Sequence, residues 1–164
     1  MLGQKAIDRL IHNVDNDILS LIFIFNASPI DSYYADFDFF SKLNEKDNAI
    51  VVAKYPDEYL KQMGVVRTNW KGDLVNFVEK PEMLDDASLL SQYWVFTGLV
   101  KLQSNVVVSI GQQRSKNIGE YVKLLIDKGL KLDVIKYKGF YRDVGIPEVY
   151  ADLVAKSILK AIKT

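Results

Sequence analysis

Three polar segments of the chain combine residue types that can bind a phosphorylated ligand or a metal ion. Asp31 lies in the loop Asn26–Ser32, Glu79 and Lys80 lie side by side where a strand-like run ends, and Asp143 lies in an acidic turn. The Asp31 loop follows an apolar run, and ligands of open α/β sheets bind outside the carboxyl ends of strands. One or two carboxylates together with substrate phosphates are the usual ligands of Mg²⁺, because this ion keeps much of its water.

Each segment also has a purely structural interpretation. Asp31 could cap a turn, and the charges of Glu79 and Lys80 are also typical of a solvated strand end. In the acidic turn, Gly145 and Pro147 suit the bend and first residue of a helix, which leaves Asp143 unexplained. The spacing alone does not show that the carboxylates converge, so both interpretations stay open.

Composition excludes several classes of protein. The 164 residues are 49% hydrophobic and 26% charged, which excludes a disordered chain. Twenty-one basic residues balance twenty-one acidic ones, so there is no overall basic field to attract nucleic acid or an anionic membrane. Without cysteine, and with His12 as the only histidine, disulfides, zinc–thiolate sites and histidine-rich metal sites are excluded.

The amino-terminal region shows neither a membrane anchor nor a secretion signal. The longest apolar stretch, Ile18–Phe25, is far shorter than the roughly 20 residues that a membrane helix needs. The first residues lack the apolar core and small-residue cleavage site of a signal peptide. We therefore expect a cytoplasmic protein with neither a membrane nor a nucleic-acid partner.

The elements that must position the polar segments alternate between helix and strand. Apolar spacing predicts a helix over Gln4–Val14, a buried strand over Ile18–Phe25, a helix capped by Asp36 and a buried strand over Ala49–Ala53. Strand, crossover helix and strand are the signature of an α/β fold.

The rest of the chain is predicted to contain a β-hairpin, two more strands and two more helices. The predicted strands are Met63–Thr68, Leu74–Val78, Tyr93–Leu102 and Leu132–Tyr137, with the turn Asn69–Asp73 closing the hairpin. A helix over Asn117–Lys128 ends at Gly129, and a last helix begins at Pro147. The apolar stripe of the last helix runs through Tyr150, Val154, Ile158 and Ile162.

The order of several short motifs resembles that of one enzyme family. These motifs are LGxxAI (2–7), the strand ending in N…DS (26–32), DFDF (36–39), GVV (64–66), FVEKP (77–81), SxY…TGL (91–99) and DVGIPE (143–148). In this order they look like the sugar-1-phosphate nucleotidylyltransferases, the NDP-sugar pyrophosphorylase type, over residues 1 to 155. FVEKP followed by DVGxPE is the most specific combination.

The resemblance implies both a fold and a reaction. The fold is a Rossmann-like mixed sheet with helices on both faces, and residues 1–164 would form a single, partial domain. The reaction transfers a nucleotidyl group from an NTP to a sugar 1-phosphate, with release of pyrophosphate and with Mg²⁺ as cofactor. Positioning and charge neutralisation supply most of the catalysis in such phosphoryl chemistry.

The resemblance also assigns roles to individual residues. Asp31 and Asp143 would be catalytic metal ligands, Lys80 would contact the phosphate of the sugar, and Glu79 would accept hydrogen bonds from sugar hydroxyls. The remaining implied substrate contacts are Gly64, Thr97 and Gly98 around the sugar and Gly3 near the base.

Three departures from the family pattern shape what we expect. The family begins with a strand and a Gly-rich loop that grip the triphosphate, whereas the match here starts at Leu2, so we expect a domain truncated at its N-terminus. LGQ also replaces the usual LGT, and the loop that contains Asp31 is longer than its counterpart. Without the first strands, Ile18–Phe25 would expose a backbone edge, so we expect a homo-oligomer or a partner chain that covers it.

The alternatives to an enzyme are an inactive sugar-phosphate-binding or regulatory module and a folded remnant without ligand.

Overall fold

The computed structural model describes residues 21–24, 32–34, 38–83, 92–110, 118–145 and 147–162. The described strands are β1 (Leu21–Ile24), β2 (Ser32–Tyr34), β3 (Ala49–Ala53), β4 (Gly64–Thr68), β5 (Leu74–Glu79), β6 (Tyr93–Leu102), β7 (Asp133–Tyr137) and β8 (Tyr141–Asp143). The described helices are α1 (Phe39–Asn44), a 3₁₀ helix (Asp57–Gln62), α2 (Ser104–Ile110), α3 (Ile118–Asp127) and α4 (Pro147–Ile162).

Six of these strands form one mixed sheet, as the resemblance predicted. Its order is β5-β4-β6-β3-β7, and β1 also pairs with β6. Strands β3 and β7 are parallel, whereas β6 runs antiparallel to β1, β3 and β4. Strands β2 and β8 form a separate antiparallel pair.

Strand β6 is the longest of the described strands and has different partners at its two ends. Strand β3 pairs along one edge of β6. On the other edge, residues 93–95 pair with β4 and residues 99–102 pair with β1. The two ladders are separated by residues 96–98, and Gly98 has a φ of +83°. We call this interval the fork of the sheet.

Helices cover both faces of the sheet, which confirms the predicted layers. One face packs against α1, whose Phe39 and Leu43 join a buried cluster with Val51 of β3. The other face packs against α3, whose Val122 and Leu125 belong to a second buried cluster. Alternate residues of a strand point to opposite faces, so neighbouring residues of β3 belong to different clusters.

Local sequence signals identified the hairpin and the end of α3 correctly. In the hairpin turn, Gly72 has a φ of +92° and its N–H donates to the carbonyl of Asn69 at 3.0 Å. Gly129 follows α3 with a φ of +80°, and its N–H donates to the carbonyl of Ile126 at 2.8 Å. Glycine adopts these positive φ angles without the steric cost that other residues incur.

One prediction needs correction and others fall outside the described residues. Helix α1 is described from Phe39, with Asp38 in the N-cap position and without a side-chain cap hydrogen bond. Helix α4 begins at Pro147, but its predicted stripe does not face the core: Val149 is buried instead. The stripe residues Tyr150, Val154 and Ile158 are 55%, 39% and 54% exposed. The predicted helix Gln4–Val14 and the cap at Asp36 lie outside the described residues.

The sequence did not predict α2, the 3₁₀ helix or the pairing of β2 with β8. The expectation that another chain covers an edge of the sheet stays a prediction. Within the described ranges, none of the helices is both long and apolar enough to cross a lipid bilayer.

Candidate functional site

The ends of β4 and β5 bring three of the predicted site residues together beside the fork. Gly64 begins β4 and is the register partner of Glu79, which ends β5. A Cβ atom on Gly64 would lie 2.9 Å from Oε2 of Glu79 and 3.1 Å from Cζ of Phe77. The carboxylate of Glu79 therefore lies over the backbone of Gly64, in space that a side chain would fill.

Partial burial makes the carboxyl group of Glu79 a weaker acid. Desolvation raises its pKa above the ordinary 4.5, the positive charge of Lys80 lowers it, and the negative charge of Glu120 raises it. Because desolvation is the largest cause, this carboxyl group accepts a proton more readily than an exposed glutamate does.

Lys80 has the least common backbone conformation at the site. Its φ of +47° makes it the one non-glycine residue with a positive φ in the part of the chain that the structure describes. The N–H of Lys80 donates to the carbonyl of Met63 at 3.0 Å, which holds this conformation. Strained backbone that the surroundings hold in place is frequent at functional sites.

Thr97 and Gly98 lie at the fork itself. The hydroxyl group of Thr97 is buried and donates to the carbonyl of Val51 at 3.0 Å. Phe96, the preceding residue, has its Cβ 3.5 Å from the position of a Cβ on Gly64. The contact of Thr97 and Gly98 with a sugar stays a prediction.

The acidic turn that contains Asp143 is held by hydrogen bonds between backbone N–H groups and side-chain oxygens. The register of β2 with β8 makes Asp143 the partner of Ser32, the residue that follows Asp31 in the chain. Oδ1 of Asp143 accepts a hydrogen bond from the N–H of Gly145 at 2.9 Å, and the N–H of Asp143 donates to the hydroxyl oxygen of Tyr55 at 3.2 Å. The backbone at Asp143 is thus tied to the segment that follows β3.

Tyr55 contacts the acidic turn, and the sequence analysis missed this residue. It is 7% exposed, and burial, the largest cause, raises the pKa of its hydroxyl group. The guanidinium group of Arg142 lies 5.5 Å from the ring centroid of Tyr55 and 4.3 Å from that of Phe140. The available signal was its place close behind the buried strand β3, at the end of a strand where sites are found.

The predicted residues fall into two described groups. Gly64, Glu79 and Lys80 form one group, and Glu79 shares its sheet face with Phe77 of the α3-side cluster. Asp143 belongs to the other group, because Tyr55 is part of the α1-side cluster. Asp31 and Gly3 lie outside the described residues.

The acidic turn offers a carboxylate to a metal ion. Within the described ranges, no group of three or more His, Asp or Glu side chains could hold a metal ion. Mg²⁺ needs only one or two carboxylates, with the other ligands supplied by water and phosphate. Asp143, in a turn fixed by hydrogen bonds, fits this requirement as one such carboxylate.

Comparison with known proteins agrees with the order of motifs. Residues 7–158 match the sequence model of a family described as nucleotidyl transferase. A UTP–glucose-1-phosphate uridylyltransferase from Haloferax volcanii is 28% identical over 102 residues, which are 62% of this chain and 42% of that protein. A glucose-1-phosphate adenylyltransferase from Bacillus thuringiensis is 26% identical over 102 residues, which are 62% of this chain and 27% of that protein. The chain thus spans less than half the length of these curated relatives.

A solved structure shares the fold. It is described as a glucose-1-phosphate thymidylyltransferase from Bacillus anthracis in complex with a sucrose, and it superimposes with a TM-score of 0.64 at 17% sequence identity. The superposition covers 91% of this chain and 58% of that chain.

Proposed function

The chain belongs to the nucleotidyl transferase family, and we propose that it supplies the sugar-phosphate side of a sugar-1-phosphate nucleotidylyltransferase. The reaction transfers a nucleotidyl group from an NTP to a sugar 1-phosphate. The relatives named above act on glucose 1-phosphate, so glucose 1-phosphate is the first substrate to test.

One observation carries the proposal: the carboxylate of Glu79 lies over Gly64, a residue without a side chain, and the positive charge of the adjacent Lys80 acts on this carboxylate. A sugar phosphate combines hydroxyl groups, which donate to a carboxylate, with a dianion, which an ammonium group attracts. Adjacent residues with opposite charges can bind both parts of such a ligand. Gly64 supports this arrangement because the close approach to its backbone needs a glycine.

In the proposed reaction, a phosphate oxygen of the sugar 1-phosphate attacks the α-phosphorus of the NTP in line. The bond from that phosphorus to the β-phosphate bridging oxygen breaks, and pyrophosphate leaves with the bonding electron pair. Lys80 neutralises the negative charge of the sugar phosphate, which would otherwise repel the triphosphate. Glu79 fixes the sugar ring, so that the attacking oxygen is correctly oriented.

Mg²⁺ is the metal ion that we propose for this chemistry, with Asp143 as a ligand and Asp31 as the second carboxylate. When bound, the ion would neutralise phosphate charge. This chain would hold the Asp143 carboxylate in place through two hydrogen bonds. The N–H of Gly145 donates to Oδ1 of Asp143, and the N–H of Asp143 donates to the hydroxyl oxygen of Tyr55.

Titration calorimetry with glucose 1-phosphate tests the proposal. The Lys80→Ala variant should bind about 10- to 100-fold more weakly than the parent, since a hydrogen bond to a charged group is worth about 1.5–3 kcal/mol and each tenfold change is about 1.4 kcal/mol. Lys123→Ala is the matched control, because Lys123 is exposed and pairs with Asp127 on the surface of α3. Equal binding by the parent and Lys80→Ala would refute the assignment.

A second arm separates an enzyme from a binding module. Pyrophosphate release is measured with several NTPs, glucose 1-phosphate and Mg²⁺. The Asp143→Asn variant keeps an oxygen that can accept the hydrogen bond from Gly145 but loses the charge, so it should abolish metal-dependent release. Binding of glucose 1-phosphate without release by the parent chain would favour the binding module.

A further inference from the structure

Two buried polar atoms on neighbouring strands take no part in the proposed reaction. They are Nε of Arg67, on β4, and the hydroxyl oxygen of Tyr93, on β6. Neither atom has a hydrogen-bond partner within the residues that the structure describes. Tyr93 is only 6% exposed. Because the great majority of buried polar groups in proteins are hydrogen-bonded, two orphaned atoms on paired residues point to a shared ligand.

The sheet places these two side chains next to each other. Arg67 and Tyr93 are register partners in the antiparallel pairing of β4 with β6. Directly opposed residues point to the same face, with their Cβ atoms about 4.5–5.5 Å apart. Val65 and Val95, the next pair along this face, belong to the α1-side cluster, as Tyr93 does. The pair therefore lies on an apolar face of the sheet.

Both groups can donate a hydrogen bond, and one of them is charged. The Nε–H of an arginine only donates, the guanidinium group stays protonated in proteins, and a tyrosine hydroxyl group donates or accepts. None of the ion pairs between described residues includes Arg67. A ligand that suits both donors is therefore a hydrogen-bond acceptor, and a negative charge on it would offset the charge of Arg67.

A second cation close to the pair adds to the preference for an anion. Nζ of Lys54 donates to the backbone carbonyl of Tyr93 at 2.7 Å. Tyr93 thus has an ammonium group at its carbonyl oxygen and an arginine as its partner on the next strand. Charges attract each other more strongly in apolar surroundings than in water, because the effective dielectric constant is lower.

We propose that Arg67 and Tyr93 bind a small inorganic anion of the halide type, which accepts hydrogen bonds from the Nε–H of Arg67 and the O–H of Tyr93. A phosphate ester or a carboxylate would bring further oxygen atoms that need partners of their own in apolar surroundings. A water molecule would accept the same hydrogen bonds but would leave the charge of Arg67 uncompensated. The bound ion would tie β4 to β6.

Urea denaturation of the full 164-residue chain in sodium chloride and in sodium gluconate tests this site. The two salts are compared at equal ionic strength, so general screening is the same in both. Gluconate is a bulky organic anion that an enclosed pair of donors does not admit. The urea midpoint should rise with chloride concentration and then level off, because a ligand that binds only the folded state stabilises it. Gluconate should produce no such saturable rise.

Two variants each remove one donor. Tyr93→Phe keeps the buried ring and loses the hydroxyl group, and Arg67→Met keeps a long side chain and loses the guanidinium group. Each variant should lose the chloride-dependent rise of the midpoint. Lys71→Met is the matched control, because Lys71 is an exposed cation in the nearby hairpin turn, and it should keep the full rise.

Crystals of the parent chain soaked in sodium bromide give a second readout that does not depend on the variants. An anomalous peak within hydrogen-bonding distance of both Nε of Arg67 and the hydroxyl oxygen of Tyr93 is expected. Equal midpoints in chloride and gluconate would overturn the proposal, and so would a chloride-dependent rise that both Tyr93→Phe and Arg67→Met retain. An ordered water at this position, without anomalous signal in bromide, would likewise overturn it.

Discussion

Replacing Gly64 with alanine tests whether the start of β4 must lack a side chain. The new Cβ would lie 2.9 Å from Oε2 of Glu79, 3.1 Å from Cζ of Phe77 and 3.5 Å from Cβ of Phe96. Carbon atoms in contact are ordinarily about 3.5–4.0 Å apart. The carboxylate and the Phe77 ring must therefore each retreat by about half an ångström, and Phe77 is buried.

Two opposing effects set the size of the change. The φ of Gly64 is not positive, so alanine fits the backbone, and in open space the substitution would stabilise by about 0.4–1 kcal/mol through the unfolded state. Overpacking a well-packed region costs about 1–3 kcal/mol. We expect overpacking to win, with a net loss of about 1–2 kcal/mol in the free energy of unfolding.

In chemical denaturation, this loss appears as a lower midpoint concentration of denaturant, while the slope of the unfolding free energy against denaturant concentration stays unchanged. In a Glu79→Ala background the 2.9 Å contact no longer exists, so Gly64→Ala should cost about half as much there, with the remainder due to Phe77. Gly129→Ala is the control: its φ is +80° and no atom lies within 4 Å of the new Cβ. Its cost is a backbone cost and should be the same in both backgrounds. Two results would refute the reasoning. One is a Gly64→Ala variant that is more stable than the parent, and the other is an equal loss of stability from Gly64→Ala in the parent and in Glu79→Ala.

Two further predictions concern ionisable groups, one buried and one partly buried. Lys101 is 5% exposed, and its Nζ donates to the carbonyl of Asn44, at the end of α1, at 2.9 Å. Lys101→Met removes this hydrogen bond and should lower the free energy of unfolding by about 1–3 kcal/mol. An unchanged denaturation midpoint would contradict this prediction. The pKa of Glu79 is raised above 4.5 in the folded protein, so the folded state binds a proton at this carboxyl group more tightly than the unfolded state does. The stability that this group contributes is therefore complete below about pH 4.5 and is lost as the pH rises through the raised pKa. Stability measured against pH should therefore fall through this range more steeply in the parent than in Glu79→Gln, and parallel curves would show that the carboxyl group titrates normally.

The features that the sequence predicted well depend on neighbouring residues. The end of α3 and the hairpin turn each follow from one glycine and its immediate sequence, because the positive φ angles at Gly129 and Gly72 require a residue without Cβ. The pairing of Gly64 with Glu79 does not follow from the turn alone, because the register of the two strands shifts between Arg67 and Thr68.

The features that the sequence could not predict depend on distant residues. The hydrogen bond from Asp143 to Tyr55 joins positions 88 residues apart, and no local pattern encodes it. The exposed stripe of α4 is a second feature that depends on distant residues. Periodicity identified an amphipathic helix, but only the tertiary structure decides that Val149, rather than Tyr150, faces the core.

The arrangement of β6 also determines when the sheet can form during synthesis. Among the described strands, β1, β3 and β4 leave the ribosome before β6, and only β4 finds an earlier partner, in the hairpin with β5. The nascent chain therefore carries the completely apolar strand Ala49–Ala53 without a neighbour until residue 93 and its successors emerge. Unpaired strand edges are prone to aggregation, and translating the roughly forty residues between β3 and β6 takes about 2–8 s at 5–20 residues per second.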